Sequence, residues 1–174
     1  MEYKFKTEPY AHQLKALGAS HNKENYALFM EMGTGKSKVL VDNIAMLYDK
    51  GKINAALIVA PKGVYRNWER QEIPIHMPDH IVHNVVTWSP VTTKKQQKEN
   101  LKLFKHGEQL TIFLMNIEAF STKKGLDIAQ RFLLAHQTLM AIDESTTIKS
   151  PTARRTKNVL KLRNYAKYRR ILTG

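Results

Sequence analysis

The chain has 174 residues, 43% hydrophobic and 25% charged, which is the make-up of one ordinary globular domain rather than a disordered tail, a collagen or a coiled-coil rod. At this length a domain buries roughly 70% of the surface its unfolded chain exposes, so it needs no staples. Cysteine is absent, which excludes disulfides, thiolate chemistry and cysteine-ligated zinc. No apolar run approaches the ~20 residues that cross a bilayer, and the start from Met1 to Glu8 carries mixed charge without an apolar signal region. A cytoplasmic setting is the expectation.

Six short apolar runs alternate with amphipathic segments. In chain order the expected strands are Tyr26–Met30, Ala55–Ala60, Ile81–Trp88, Leu110–Met115, Thr138–Ile142 and Arg170–Thr173. Several are continuously apolar, the pattern of strands buried on both faces of a parallel sheet. The expected helices run from Pro9 to Ala19, with proline at the first helical position, and from Lys36 to Asp49, where Val39, Leu40, Ile44 and Leu47 share one side. Four more cover Val64–Glu72, Thr93–Lys105, Asp127–Ala135 and Ala153–Tyr165. Alternating β and α elements predict an α/β fold, mainly parallel, with right-handed crossovers and helices on both faces.

Twenty-eight Lys and Arg against fifteen Asp and Glu give a formal charge of +13. Such an excess points to a polyanionic partner. From Ser145 to Gly174 there are nine basic residues and no acid, and a second cluster comprises Lys94, Lys95, Lys98, Lys102 and Lys105. Both also suit solvated helix faces.

The strongest local pattern is Met30-Glu31-Met32-Gly33-Thr34-Gly35-Lys36-Ser37, between a strand and a helix. Glycines let backbone N–H groups converge on phosphate oxygens, Lys36 reaches the β- and γ-phosphates, and the Ser37 hydroxyl holds Mg²⁺. A helix starting at Lys36 aims its positive end at the same anion. Methionine at position 30 departs from the strict pattern, which has glycine there. About a hundred residues on, Asp143 and Glu144 end an apolar strand, where Asp143 can join the Mg²⁺ shell and Glu144 can orient or deprotonate an attacking water. The spacing of His76, His80 and His83 suggests a metal site, but Pro78 interrupts it and no further ligand completes a shell. A polar loop leading into a strand accounts for them better. Trp68 reads as an anchor of its helix to the sheet.

These motifs, in this order, resemble the first RecA-like lobe of superfamily-2 helicases, most of all the Swi/Snf-type double-stranded DNA translocases and their phage-encoded relatives. Pro9-Tyr10-Ala11-His12-Gln13 resembles the adenine-sensing segment, with Gln13 reading the base. Glu31 to Ser37 resembles motif I, in a branch that commonly lacks the first glycine. Ala60-Pro61-Lys62-Gly63-Val64-Tyr65-Arg66-Asn67-Trp68 resembles motif Ia, and Asn116 to Phe120 motif Ib. Ile142-Asp143-Glu144, followed by Ile148-Lys149-Ser150-Pro151, resembles motif II and its extension. Leu172-Thr173-Gly174 matches the start of motif III.

The resemblance implies a RecA-like P-loop NTPase lobe over 1–174, truncated after the start of motif III and lacking a second RecA-like lobe. It implies ATP and Mg²⁺ held by Gln13, Met32, Gly33, Thr34, Gly35, Lys36 and Ser37, with Lys36, Asp143 and Glu144 catalytic and Ser37 and Asp143 on the metal. Duplex DNA, bound without regard to sequence, would meet Lys62, Arg66, Lys149, Arg154 and Arg155. Thr146 stands where the family usually has histidine, which leaves the linkage of hydrolysis to DNA open. Without the arginine fingers of a second lobe, turnover is expected to fall by 10³–10⁵. A nucleic-acid-binding module with a vestigial ATP site and a non-helicase P-loop NTPase are the alternatives.

Overall fold

A computed structural model describes residues 3–30, 35–143 and 154–173. Six strands form one sheet in the order β1-β6-β5-β2-β4-β3, and every neighbouring pair is parallel. The strands are β1 (Asn25–Phe29), β2 (Ala55–Ala60), β3 (His83–Thr87), β4 (Leu110–Asn116), β5 (Thr138–Asp143) and β6 (Tyr168–Thr173). At the centre, Leu57 of β2 lies between Phe113 of β4 and Met140 of β5.

All of β2 and β4 is buried, which is why both read as continuous apolar runs. Their side chains still alternate between two cores. Ala56, Ile58 and Ala60 face α1 (Ala11–Ser20), α2 (Lys36–Asp49), α3 (Tyr65–Asn67) and α4 (Ile73–His76), packing with Leu17, Leu40, Ile44, Trp68 and Ile73. Ala55, Leu57 and Val59 face the opposite core, with Phe120, Phe132, Val159 and Leu162. That side is built by α6 (Lys123–Ala135), α7 (Arg154–Leu162) and the turns around Leu103 and Phe120, while α5 (Lys94–Leu101) buries none of its residues. The result is a parallel sheet between two helical layers, the predicted α/β arrangement.

Local departures from the predicted boundaries have identifiable causes. The first helix begins at Ala11, because Tyr10 is extended and its N–H donates to Gln13 Oε1 at 2.8 Å as an N-terminal cap, so Pro9 precedes the helix. Helix α2 is not amphipathic: residues 38–45 are all buried, including Lys38, Asp42 and Asn43. The helix predicted to end at Glu72 continues to His76, through a π-helical turn at Trp68–Glu72 between α3 and α4. After β4 the chain forms a 3-10 turn, Ile117–Ser121, which Asn116 caps by accepting the Ala119 N–H at 2.9 Å.

Candidate nucleotide site and nucleic-acid face

In a parallel α/β sheet, ligands bind beyond the carboxyl ends of the strands. This edge gathers the exits of β1, β2, β4, β5 and β6, and with them the sequence motifs. Met30, leaving β1, donates its N–H to Thr173 O at 3.0 Å, tying the start of the glycine-rich loop to the end of β6. The loop re-enters the described residues at Gly35, which caps α2 with φ 83° and ψ 38°, the left-handed region that favours glycine. Lys36 and Ser37, both half-buried, form the first turn of α2. That turn has no acidic residue, so its N–H groups and dipole remain suited to an anion. Met32, Gly33 and Thr34 lie outside the described residues.

Gln13 reaches this loop from α1. It is 5% exposed, its Oε1 accepts from Tyr10 N–H, and its Nε2 donates to Gly35 O at 3.4 Å. A side chain at position 35 would run into that same amide nitrogen. The predicted base-reading residue is thus packed against the end of the glycine-rich loop.

Asp143 ends β5, opposite Leu172 of β6, and its Oδ2 accepts the indole N–H of Trp68 at 3.0 Å. Trp68 is 1% exposed. Sequence reasoning recognised it as an anchor and missed this second role; a tryptophan shortly after a β-strand exit was the available signal. Burial, and secondarily repulsion from Asp143, raises the carboxyl pKa of Glu72 above the ordinary range. Glu144 lies outside the described residues. A serine hydroxyl and an aspartate are hard oxygen donors, and magnesium is characteristically held by one or two carboxylates plus phosphates and water. The donor set therefore fits Mg²⁺ with a nucleotide. Among the described residues no group of three His, Cys, Asp or Glu side chains could hold a metal without one.

The predicted DNA contacts divide. Lys62 and Arg66 are exposed beyond β2, on a turn fixed by Val64 and Tyr65 N–H groups donating to Pro61 O. The Arg66 guanidinium lies 5.3 Å from the Tyr65 ring centre. Arg154 is exposed at the start of α7, and Arg155 stands 3.9 Å from Glu118 in the turn after β4. Lys149 lies outside the described residues.

The C-terminal basic run is not one surface. Arg170 is 1% exposed, and its guanidinium donates to Asn43 Oδ1 and Ser20 O, both at 2.8 Å, and to the carbonyls of Glu24 and Arg169. Burial lowers its pKa to about 10, which keeps it charged at neutrality. Arg169 is also engaged, with Arg163 O at 2.8 Å and Asn25 Oδ1 at 3.0 Å. The three histidines take separate partners: His76 meets Thr7 and Glu72, His80 meets Asp49, and His83 meets Ile81 O.

The sequence profile of the SNF2-related domain family matches residues 12–174. Among solved structures, the Sulfolobus solfataricus SWI2/SNF2 ATPase core in complex with dsDNA is similar over 100% of this chain and 34% of its own, with a TM-score of 0.72 and 21% identity. The UvsW helicase from bacteriophage T4 is similar over 97% of this chain and 53% of its own, with a TM-score of 0.67 and 11% identity. At these identities the likeness is one of fold, and the chain spans about a third to a half of these proteins. No curated protein sequence matches it. The fold is that of the N-terminal RecA-like lobe of Swi/Snf-type helicases. The profile match over nearly the whole chain decides the matter, and the chain belongs to the SNF2-related domain family.

Proposed function

We propose that this chain is the ATP-binding lobe of a cytoplasmic DNA-dependent ATPase that translocates along or remodels duplex DNA. The observation that carries the reading is the convergence of the Gly35-Lys36-Ser37 helix start and Asp143 on the carboxyl edge of one parallel sheet, in a chain of the SNF2-related family.

In this reading the first turn of α2 binds the nucleotide phosphates through backbone N–H groups, and Lys36 places its charge on the β- and γ-phosphates. Ser37 and Asp143 hold Mg²⁺, which when bound neutralises charge developing between those phosphates. Glu144 orients the attacking water and takes its proton. Gln13 reads the adenine edge from its place beside Gly35, with Met32, Gly33 and Thr34 completing the cradle. Lys62, Arg66, Lys149, Arg154 and Arg155 contact the phosphate backbone of DNA, giving binding that is independent of sequence and sensitive to salt. The solved SWI2/SNF2 core in complex with dsDNA supports this choice of partner.

The chain is one lobe of a two-lobe motor. The relatives are two to three times its length, which is consistent with a C-terminal RecA-like lobe that supplies the arginine fingers. Phosphate release by this chain alone, with and without duplex DNA, tests the division of labour. Turnover near background is the expected result. A rate near that of complete helicases would overturn it.

A further inference from the structure

Buried tryptophan N–H groups usually find a partner. Here the partner is a carboxylate at the proposed metal site, Asp143 Oδ2, and the indole stands at the start of a π-helical turn. The Ile73 N–H donates to Trp68 O, the i to i+5 bond of a π-helical turn. From Tyr65 to Met77 the buried residues are Tyr65, Trp68, Ile73 and Met77, spaced three, five and four apart. A plain α-helix continuing from Tyr65 and Trp68 would bring residues 72 and 76 onto the same face, placing Glu72 and His76 in the apolar core. The extra residue of the π turn puts Ile73 there instead. Trp68 keeps its place under the sheet, with its ring fixed by packing and its N–H on Asp143 Oδ2 at 3.0 Å.

We infer that Trp68 is a positioning residue for the metal site: its N–H holds the Asp143 carboxylate in the orientation that magnesium requires. The inference rests on the nucleotide-site reading above. A hydrogen bond from a neutral donor to a ligating carboxylate fixes its rotamer without competing for its charge, and removing such outer partners typically weakens metal binding 10–100-fold. The π turn lets one helix bury both Trp68 and Ile73 while keeping Glu72 and His76 out of the apolar core.

The test uses a fluorescent ADP analogue titrated into the wild-type chain and Trp68→Phe, once in EDTA and once across a range of Mg²⁺ concentrations. Phenylalanine keeps an aromatic ring but loses the N–H donor and the fused pyrrole ring, so the metal-free arm serves as the control for any loss of packing. The expected result is unchanged metal-free nucleotide affinity, with the Mg²⁺ concentration needed to tighten binding raised 10–100-fold. An unchanged magnesium midpoint would overturn the assignment. A purely structural role predicts loss of nucleotide affinity in both conditions, and that outcome also counts against it.

A second measurement needs no change at Trp68. The chain has two tryptophans, so the indole ¹H–¹⁵N resonance of Trp68 is assigned by comparison with Trp88→Phe. Adding Mg-ADP should shift the Trp68 signal beyond the change produced by ADP in EDTA. An equal position in the two conditions would overturn the inference. No saturable binding of nucleotide by the wild type in either condition would overturn both this inference and the nucleotide-site reading beneath it.

Discussion

The Lys38 ammonium lies 2.8 Å from Asp42 Oδ2, one turn along α2, with the two side chains 4% and 2% exposed. Tyr3 donates its hydroxyl to the other carboxylate oxygen at 2.6 Å, and the Phe5 ring lies 5.2 Å from the ammonium. Burial, reinforced by the Asp42 bond, drives the Tyr3 phenol far above its ordinary pKa. The segment before α1 thus seals an ion pair directly behind the proposed phosphate-binding turn. Breaking one member of such a buried pair leaves the other unpaired in the core. Asp42→Ala should therefore destabilise the fold by about 3–5 kcal/mol, whereas the double replacement Lys38→Met with Asp42→Leu should cost clearly less than the two single changes added together. Urea denaturation of the wild type, Asp42→Ala, Lys38→Met, Asp42→Leu and the double variant checks this.

Gly35 and Gly51 form a natural pair of tests. Both have positive φ, 83° and 70°, but only at Gly35 would a Cβ meet a neighbour, the Gln13 amide; around Gly51 nothing lies within 4 Å. Gly51→Ala should cost about 1–2 kcal/mol from backbone strain and leave nucleotide affinity unchanged. Gly35→Ala should cost more and also displace Gln13, weakening binding of a fluorescent nucleotide at least ~10-fold, about 1.4 kcal/mol.

Acid should weaken the fold through two histidines. His136 accepts from Asn54 Nδ2 at Nδ1 (3.3 Å) and donates from Nε2 to Leu103 O (2.6 Å), which suits the neutral ring. Its pKa is lowered, by burial first, and that of His76 is lowered by burial and by Lys38. The folded state therefore binds fewer protons than the unfolded one. The stability from keeping these rings neutral is complete above the unfolded value near 6.5, and it is lost as pH falls below that value through the folded ones. Urea midpoints between pH 5 and 8 should decline on the acid side, with a shallower decline in His136→Gln.

The two kinds of arginine should separate in experiment. Arg170→Met removes the guanidinium from four acceptors, its bonds to Asn43 Oδ1 and Ser20 O being buried, and should destabilise by about 3 kcal/mol. Its DNA affinity, measured on the folded fraction, should be unchanged. Lys62→Ala and Arg66→Ala should do the reverse. Each should leave stability within about 0.5 kcal/mol, weaken duplex binding alike for all sequences, and lower the salt slope by about 1.

These contrasts mark what the sequence could convey. The strands were legible because continuous apolar runs such as Ala55–Ala60 have few other uses, and the start of α2 because the glycine before Lys36-Ser37 suits a left-handed cap. Arg170 was counted with its basic neighbours because a charge tally ignores strand alternation. Tyr168, Arg170 and Leu172 share the inward face of β6, and a period of two could have revealed that. The all-round burial of α2 was hidden by Lys38 and Asp42, whose pairing depends on Tyr3 arriving from a distant segment. The π turn was invisible because helical periodicity assumes 3.6 residues per turn, and only the packing of Ile73 selects an extra residue.

The most direct test of the account is titration of a fluorescent ATP analogue with Mg²⁺ into this chain and into Lys36→Ala. Lys36 stands on the first turn of α2, at the carboxyl edge of the sheet. Saturable binding by the wild type, weakened at least ~10-fold in the variant (about 1.4 kcal/mol), is the predicted result. Equal binding by the two proteins, or none by either at millimolar nucleotide, would contradict the claim that this edge is a nucleotide site.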